Sequence, residues 1–170
     1  MRRNAPLHGS PSLRRRHTVR VPDFNTKRDL LAEEDREWTE LHQLVDSLPK
    51  DEVGTPGYFA EGWSAKDLVA HIGSWLAASG VALERMHVGT YRAEDFDVDS
   101  MNQRFYKAMK DVPFDTVRAQ ASAARNRMLH AWQFVGDNAP DADKWIRKAG
   151  PEHYVEHLPR LRDWVAQLTH

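Results

Sequence analysis

The sequence predicts an all-α protein, an up-down four-helix bundle formed by residues 26–170. Apolar residues recur every three or four positions through several long segments, which is the period of a helix with one buried face. Glycine and proline gather between those segments. No segment shows a clear strand alternation, and 170 residues with 41% apolar content are enough for one domain with its own core.

The first predicted helix runs from about Thr26 to Leu48, and Pro49 ends it. Its apolar stripe is formed by Leu31, Trp38, Leu41, Val45 and Leu48. Acidic residues in its N-terminal half, Glu34 among them, suit the positive end of the helix dipole.

The second predicted helix follows a loop at 50–63 that is rich in glycine and proline. Ser64 and Asp67 resemble a capping box, in which the serine caps the helix and an acid stands three residues later. The inward stripe is formed by Leu68, Ile72, Trp75, Ser79, Leu83 and Met86. Gly89 is suited to end this helix.

A third helical segment is predicted over Asp99–Lys110, and Pro113 interrupts the pattern after it. A longer helix follows over Asp115–Val135. Its stripe is formed by Val117, Ala121, Ala124, Met128, Trp132 and Val135. Residues 136–143 contain glycine and proline and are predicted to form a loop.

The last predicted helix runs from Pro151 to Leu168, with Pro151 in the first helical position, where proline is favoured. Pro159 lies inside it and should kink the helix or delay its regular start. If the helix began only at Pro159, the residues just before it would not share a helix face.

Residues 1–25 are predicted to form a disordered basic arm. Residues 1–22 carry six arginines and no acid, which leaves 18 basic and 25 acidic side chains in the other 148 residues. One interpretation is a phosphate-binding arm for nucleic acid, and the other is a solvated leader without a partner. The acidic body makes nucleic acid an unlikely partner.

The composition restricts the chemistry. The chain has no cysteine, so a metal would have to be held by histidine, carboxylates, carbonyls or water. The absence of cysteine is compatible with a reducing cytoplasm, which is the predicted location. No apolar run approaches the roughly 20 residues that a membrane helix needs, so a membrane partner is not expected.

The segment His153-Tyr154-Val155-Glu156-His157 has the spacing of a metal-binding helix. On a helix, His153 and His157 stand one turn apart on the same face and can present two nitrogens to one ion. The order H-x-x-E-H also occurs in a class of zinc peptidases, in which the glutamate acts as a base. That version is disfavoured here, because those enzymes take a third ligand well downstream and Glu156 projects about 100° away from His157.

A third histidine is predicted to face the interior of the bundle, together with His153 and His157. His71 is flanked on its helix face by Leu68 and Trp75, so it points at or beside the core. Three buried imidazoles cost free energy unless their nitrogens find partners, and a divalent cation would satisfy all three. The alternative is three separate structural histidines, each paired with a carbonyl or carboxylate.

Three segments carry a family resemblance: residues 63–72 (WSAKDLVAHI), residues 101–106 (MNQRFY) and residues 153–164 (HYVEHLPRLRDW). In this order and spacing they resemble the DinB/YfiT-like superfamily, which includes the mycothiol-dependent maleylpyruvate isomerases and the ClbS/DfsB proteins. The likeness covers residues 27–168.

The resemblance implies a four-helix bundle with a divalent metal, zinc or nickel, held by His71, His153 and His157, and a homodimer. It also implies thiol transfer or thiol-dependent isomerisation with mycothiol or a similar cofactor. The chain departs from the known isomerases, which replace one histidine of the last helix by an acid and usually carry a further C-terminal domain. Maleylpyruvate is therefore not the expected substrate.

Three functions remain open at this point. The leading one is an enzyme that uses its metal to activate a low-molecular-weight thiol for transfer to a small electrophile, or a hydroxide for hydrolysis. The second is a ClbS/DfsB-like protein that sequesters or hydrolyses a reactive small molecule. The third is a structural bundle without catalysis.

Overall fold

Six helices make up the regular structure of the residues that the computed structural model describes, which are 27–58, 62–135 and 139–169. They are α1 (Lys27–Asp46), α2 (Ala65–His87), α3 (Val98–Met109), α4 (Phe114–Phe134), α5 (Pro140–Ala149) and α6 (Pro151–Leu168). The all-α prediction is confirmed, and the predicted boundaries of the long helices agree within two residues. The predicted basic arm lies outside the described residues.

The four long helices α1, α2, α4 and α6 form the bundle, with α2 packed along α4 and α1 along α6. Gly73 lies beside Ala121 and Gly80 beside Met128, so α2 and α4 run in the same direction. Asp46 near the end of α1 contacts Arg118 near the start of α4, so these two helices are antiparallel. The structure therefore refines the up-down prediction, because α3 lies in a crossover that lets α4 run parallel to α2.

The capping box of α2 is present as predicted. The Ser64 backbone N–H donates to Asp67 Oδ2 at 2.9 Å, and the Asp67 N–H donates to Ser64 Oγ at 3.2 Å. Caps of this kind stabilise a helix by about 1 kcal/mol. Asp67 is thereby engaged at the helix end, which favours the capping role over an orienting contact to His71.

Gly73 allows the backbones of α2 and α4 to approach closely. A Cβ at this position would lie 2.8 Å from Ala121 Cβ and 2.9 Å from its Cα, closer than packed atoms can be. Gly73 stands two positions after His71, which corresponds to a rotation of about 200° around the helix. The face of α2 that packs against α4 is therefore nearly opposite the face that carries His71.

Helix α5 differs from the prediction. The loop predicted over 136–143 is wrong for residues 140–143, which begin a helix, while residues 136–138 lie outside the described part of the chain. Pro140 stands at the start of α5 and acidic residues fill its first turn, so the same residues that suggested a loop instead initiate a helix. Ile146 anchors α5 in the core with no exposed surface.

None of the helices in the described ranges combines the length and the apolar character needed to cross a bilayer. The core between the helices is apolar and contains two fully buried tyrosines, Tyr58 and Tyr154.

Candidate metal centre

Helix α6 continues through Pro159 without interruption, from Pro151 to Leu168. The alternative start at Pro159 is therefore wrong. Gly150 is the one residue between α5 and α6, and a Cβ there would lie 2.9 Å from the Ile146 carbonyl oxygen. This junction starts α6 early enough to place His153 and His157 one turn apart on the same helix.

The three predicted histidines converge from two helices. His71 of α2 has its Nε2 atom 2.8 Å from Nε2 of His153. The ring centroids of His71 and His157 are 5.3 Å apart, and those of His153 and His157 are 4.9 Å apart. One nitrogen of each ring can be chosen so that all three lie within 4.8 Å of one another. We call these three residues the histidine cluster.

The histidine cluster is uncharged near neutral pH. Burial lowers the pKa of His71 to about 3, with a further contribution from His157, and lowers that of His157 to about 4. Burial also holds the pKa of His153 well below its usual value, and repulsion from His71 and His157 adds to this. Neutral imidazole is the form of histidine that binds metals, because its free nitrogen carries a lone pair.

The donor set fits a divalent metal cation. Zinc bonds to imidazole at 2.0–2.1 Å, so the nitrogens of a tetrahedral site lie about 3.3 Å apart. The cluster, with its closest nitrogens 2.8 Å apart and all three within 4.8 Å, spans this value. The Nδ1 atom of His71 is buried and has no hydrogen-bond partner in the described residues, so the ring is not held by an alternative polar network.

The histidine cluster lines a cavity of about 1360 Å³. The cavity is wide for one small molecule, because ligand pockets usually measure about 300–1,000 Å³. Helices α2, α3, α5 and α6 and the segment between α2 and α3 all contribute to its wall. Glu156, the central acid of the H-x-x-E-H segment, is exposed and lies on the same wall.

Neighbouring side chains fix the positions of the histidine rings. Trp63 packs against His71 with ring centroids 5.4 Å apart and stacks on Tyr106 at 5.2 Å. The Tyr58 hydroxyl donates to the carbonyl oxygen of His157 at 3.2 Å. Arg160 donates to the carbonyl oxygen of Tyr58 and lies over its ring, so this arginine has a structural role in α6.

Three of the remaining histidines lie in the described residues and away from the cluster. His42 on α1 packs edge-on against Trp38, and burial lowers its pKa. His87 at the end of α2 contacts the carbonyl oxygen of Phe134. His130 is exposed on α4.

The sequence did not predict most of the cavity wall. Trp75 was assigned to the core stripe of α2, but it lines the cavity, where its Nε1 donates to Asn102 Oδ1 at 2.9 Å. Trp145 lines the cavity from α5, the helix that was missed. Polar partners 27 positions apart cannot be recognised in a single sequence, so no pattern could have identified the pair Trp75 and Asn102.

The fold and the site together define a class: helical-bundle proteins with a three-histidine pocket between the second and last long helices. The chain belongs to the family of the mycothiol maleylpyruvate isomerase N-terminal domain, whose family model matches residues 35–166. The DinB-like resemblance predicted from the sequence is thereby confirmed. Among proteins with curated descriptions, none matches this sequence.

Two solved structures share the fold. One is an uncharacterised protein from Escherichia coli UTI89, with a TM-score of 0.71 and 17% identity, over 86% of this chain and 95% of that one. The other is the colibactin self-resistance protein ClbS in complex with a double-stranded DNA, with a TM-score of 0.70 and 16% identity, over 85% of this chain and 96% of that one. At these identities the likeness establishes the fold.

The ClbS complex bears on one further prediction. The sequence made nucleic acid an unlikely partner, whereas this structural neighbour was solved with DNA bound. The prediction does not fit that observation, and DNA binding becomes a candidate for experiment.

Proposed function

We propose that His71, His153 and His157 bind one divalent cation, zinc or nickel, and that the protein is an enzyme that activates a low-molecular-weight thiol of the mycothiol type. The activated thiol would be transferred to an electrophilic co-substrate in the cavity. The observation that supports the proposal most directly is the convergence of three neutral imidazoles, two buried and one half-buried, at the wall of an open cavity.

The chemistry of the donor set is suited to thiol activation. Three neutral ligands add no negative charge, and a cation held in this way lowers the pKa of a bound thiol so that the thiolate forms near neutral pH. The chain contains no cysteine of its own, so the sulfur would come from the cofactor. The chain's residues hold the cation, keep the imidazoles uncharged by burial and leave room for both substrates in the cavity.

Elemental analysis of the purified full-length protein tests the metal site. We expect about one zinc or nickel per chain in the wild type and in His130→Ala, an exposed histidine that controls for the loss of an imidazole. His71→Ala, His153→Ala and His157→Ala should each lose the metal while their circular dichroism stays helical. Full retention of metal in any of the three would contradict the shared site.

Thiol consumption tests the reaction. The metal-loaded protein should accelerate the loss of a mycothiol-type thiol in the presence of an electrophile, and the chelated protein and His71→Ala should not. If the protein contains stoichiometric metal but consumes no thiol with any electrophile, the transferase proposal fails and the metal site stands.

A second candidate is a ClbS-like protein that sequesters or hydrolyses a reactive small molecule near DNA. It is supported by the match to ClbS over 96% of that chain, in a structure that contains DNA. Titration of the full-length protein and of a variant lacking residues 1–22 into double-stranded DNA at several salt concentrations tests it. Affinity that falls with salt and depends on the arm would support this candidate, because phosphate contacts release counterions. No affinity in either protein would remove the nucleic-acid version.

The predicted homodimer and the cytoplasmic location stay predictions. Sedimentation of the metal-loaded protein over a range of concentrations measures the assembly directly.

If the protein binds no metal and catalyses no reaction in these tests, the third possibility left by the sequence, a structural bundle, is the one that holds.

A further inference from the structure

An aromatic wall lines the cavity beside the histidine cluster. Trp75 of α2, Phe96 of the segment before α3 and Trp145 of α5 contact one another in a row, with ring centroids 5.8 Å and 6.1 Å apart. Phe105 of α3 supports Trp75 from behind, edge-on at 5.3 Å. The wall is thus assembled from four separate elements, and three of its rings line the cavity.

The orientations of the two indoles are fixed by hydrogen bonds to protein. Trp75 Nε1 donates to Asn102 Oδ1 at 2.9 Å, and Trp145 Nε1 donates to the Tyr91 hydroxyl at 3.0 Å. Both indole N–H groups are therefore already used within the protein. What the wall offers to a ligand is the faces and edges of its rings, which favour other planar π systems.

Phe96 stands between the two tryptophans and keeps 46% of its surface exposed. A large apolar ring that stays exposed at a cavity wall has only part of its surface removed from water on folding. The rest is buried only when a ligand covers the ring. Phe134 on α4 is exposed to a similar degree, 54%, but it does not line the cavity. The two phenylalanines therefore form a matched pair for experiment.

The charges around the cavity indicate what kind of group would cover Phe96. Five basic side chains line the cavity: Arg85, Arg92, Arg104, Lys144 and Lys148. Five acidic side chains line it as well: Glu94, Asp95, Asp99, Asp141 and Glu156. Because the two sets balance, the charged side chains of the cavity wall add no net attraction for a small dianion.

We propose that Trp75, Phe96 and Trp145 form a binding subsite for an uncharged, planar aromatic group of the co-substrate. This inference rests on the proposed function in that the group would belong to the electrophile that meets the thiol. The cavity of about 1360 Å³ has room for such a group together with a cofactor at the histidine cluster. The rings of the subsite themselves offer no positive charge to a small dicarboxylate.

Fluorescence titration of the full-length protein with N-phenyl-1-naphthylamine, a neutral aromatic probe, tests the subsite. Phe96→Leu keeps an apolar side chain but removes the ring, and we expect it to weaken the probe's affinity about fivefold, equivalent to about 1 kcal/mol. Phe96→Tyr keeps the ring and should bind within about twofold of the wild type. Phe134→Leu, the matched control, should leave the affinity unchanged.

Two results would overturn the subsite. One is an equal loss in Phe96→Leu and Phe134→Leu, which would indicate nonspecific apolar binding. The other is an unchanged affinity in Phe96→Leu, with helical circular dichroism verified for each variant. A competition experiment in the chelated protein adds a test of charge: 2-naphthol should displace the probe, whereas displacement by maleate at the same concentration would contradict a subsite for an uncharged aromatic group.

Repeating the titration in His71→Ala separates this proposal from the metal proposal. Ring-dependent probe binding in His71→Ala would show that the aromatic subsite does not depend on the metal. The same binding in a wild type that holds no metal would leave the subsite standing while the metal proposal fails. Stoichiometric metal with no ring-dependent binding would do the reverse.

Discussion

Two buried polar clusters share helix α6, and they differ in how far their polar groups are paired within the protein. In the Glu34 cluster, formed by Glu34, Arg125 and Tyr154, the carboxylate of Glu34 has no exposed surface and every partner is present. Arg125 Nε donates to Glu34 Oε1 at 2.9 Å and the Tyr154 hydroxyl donates to the same oxygen at 3.0 Å. Such a saturated network holds α1, α4 and α6 together.

The histidine cluster begins at the residue next to Tyr154, yet it consists of neutral rings and not of a charged pair. His153 and His71 contact each other, and their buried Nδ1 atoms have no hydrogen-bond partner within the described residues. A saturated cluster stabilises the fold, and neutral imidazoles at the wall of a cavity can bind a ligand. The contrast suggests that mutations in the first should change stability, and mutations in the second should change binding.

The largest expected effect comes from opening the saturated cluster. Arg125→Met leaves the carboxylate of Glu34 buried without its cation, and we expect the free energy of unfolding to fall by about 3–5 kcal/mol. Arg127→Met is the matched control on the same helix, because Arg127 also grips a glutamate, Glu84, but in an exposed pair. An exposed pair contributes little to stability, so Arg127→Met should cost much less than Arg125→Met. Urea denaturation of both variants measures the difference, and equal losses would refute the distinction.

Removing a member of the histidine cluster should leave the metal-free fold almost unchanged. His153→Ala opens onto the cavity, so we expect a change of about 1 kcal/mol in the chelated protein. With zinc at 100 times its dissociation constant, the wild type should gain about 2.7 kcal/mol and the variant nothing. Thermal unfolding with zinc and with chelator measures both quantities. A zinc-dependent gain that survives in His153→Ala would contradict the contrast.

The sequence predicted one of these clusters and not the other. The histidines were recognisable because His153 and His157 are four residues apart and His71 stands between apolar residues on its helix face. Glu34 was assigned only to the N-terminal half of the first helix, where an acid suits the helix dipole without a particular partner. Its cation lies 91 positions away on α4, and a distance of that kind is set only by the folded bundle.

The same limit applies to the fold. Long helices follow from the period of their apolar residues, so α1, α2, α4 and α6 were predictable. Helix α5 has ten residues and starts with Pro140, a residue that also ends helices. The parallel packing of α2 on α4 depends on the close approach at Gly73, which a periodic pattern does not reveal.

A second buried acid, Glu37, extends the comparison, because it is buried like Glu34 but has weaker pairing with a cation. Glu37 is 1% exposed, and Arg36 reaches it at 3.3 Å while also serving Glu33. Burial, followed by the hydrogen bond and the negative charge of Glu33, raises the pKa of Glu37 to about 8. The folded state therefore holds this proton more tightly than the unfolded chain, whose carboxyl has the ordinary value of 4.5.

Glu37→Gln should consequently gain stability relative to the wild type as the pH rises. The contribution of the protonated acid is fully present below the ordinary pKa and is lost as the pH rises through about 8. We expect the relative gain to build up between about pH 5 and pH 8, at no more than about 1.4 kcal/mol per pH unit. Glu94→Gln, on an exposed segment, controls for the loss of a negative charge. A difference that stays constant with pH would show that Glu37 ionises normally.

Tyr154→Phe should give the smallest effect and the most direct separation of the two clusters. The variant loses one hydrogen bond to Glu34, which keeps its bonds from Arg125, so the cost should be about 1 kcal/mol. Tyr154 is the neighbour of His153 in sequence but faces the other cluster, so the zinc-dependent rise in unfolding temperature should equal that of the wild type. If this conservative change abolished the rise, the Glu34 cluster would also position the histidines, and the two clusters would act as a single unit.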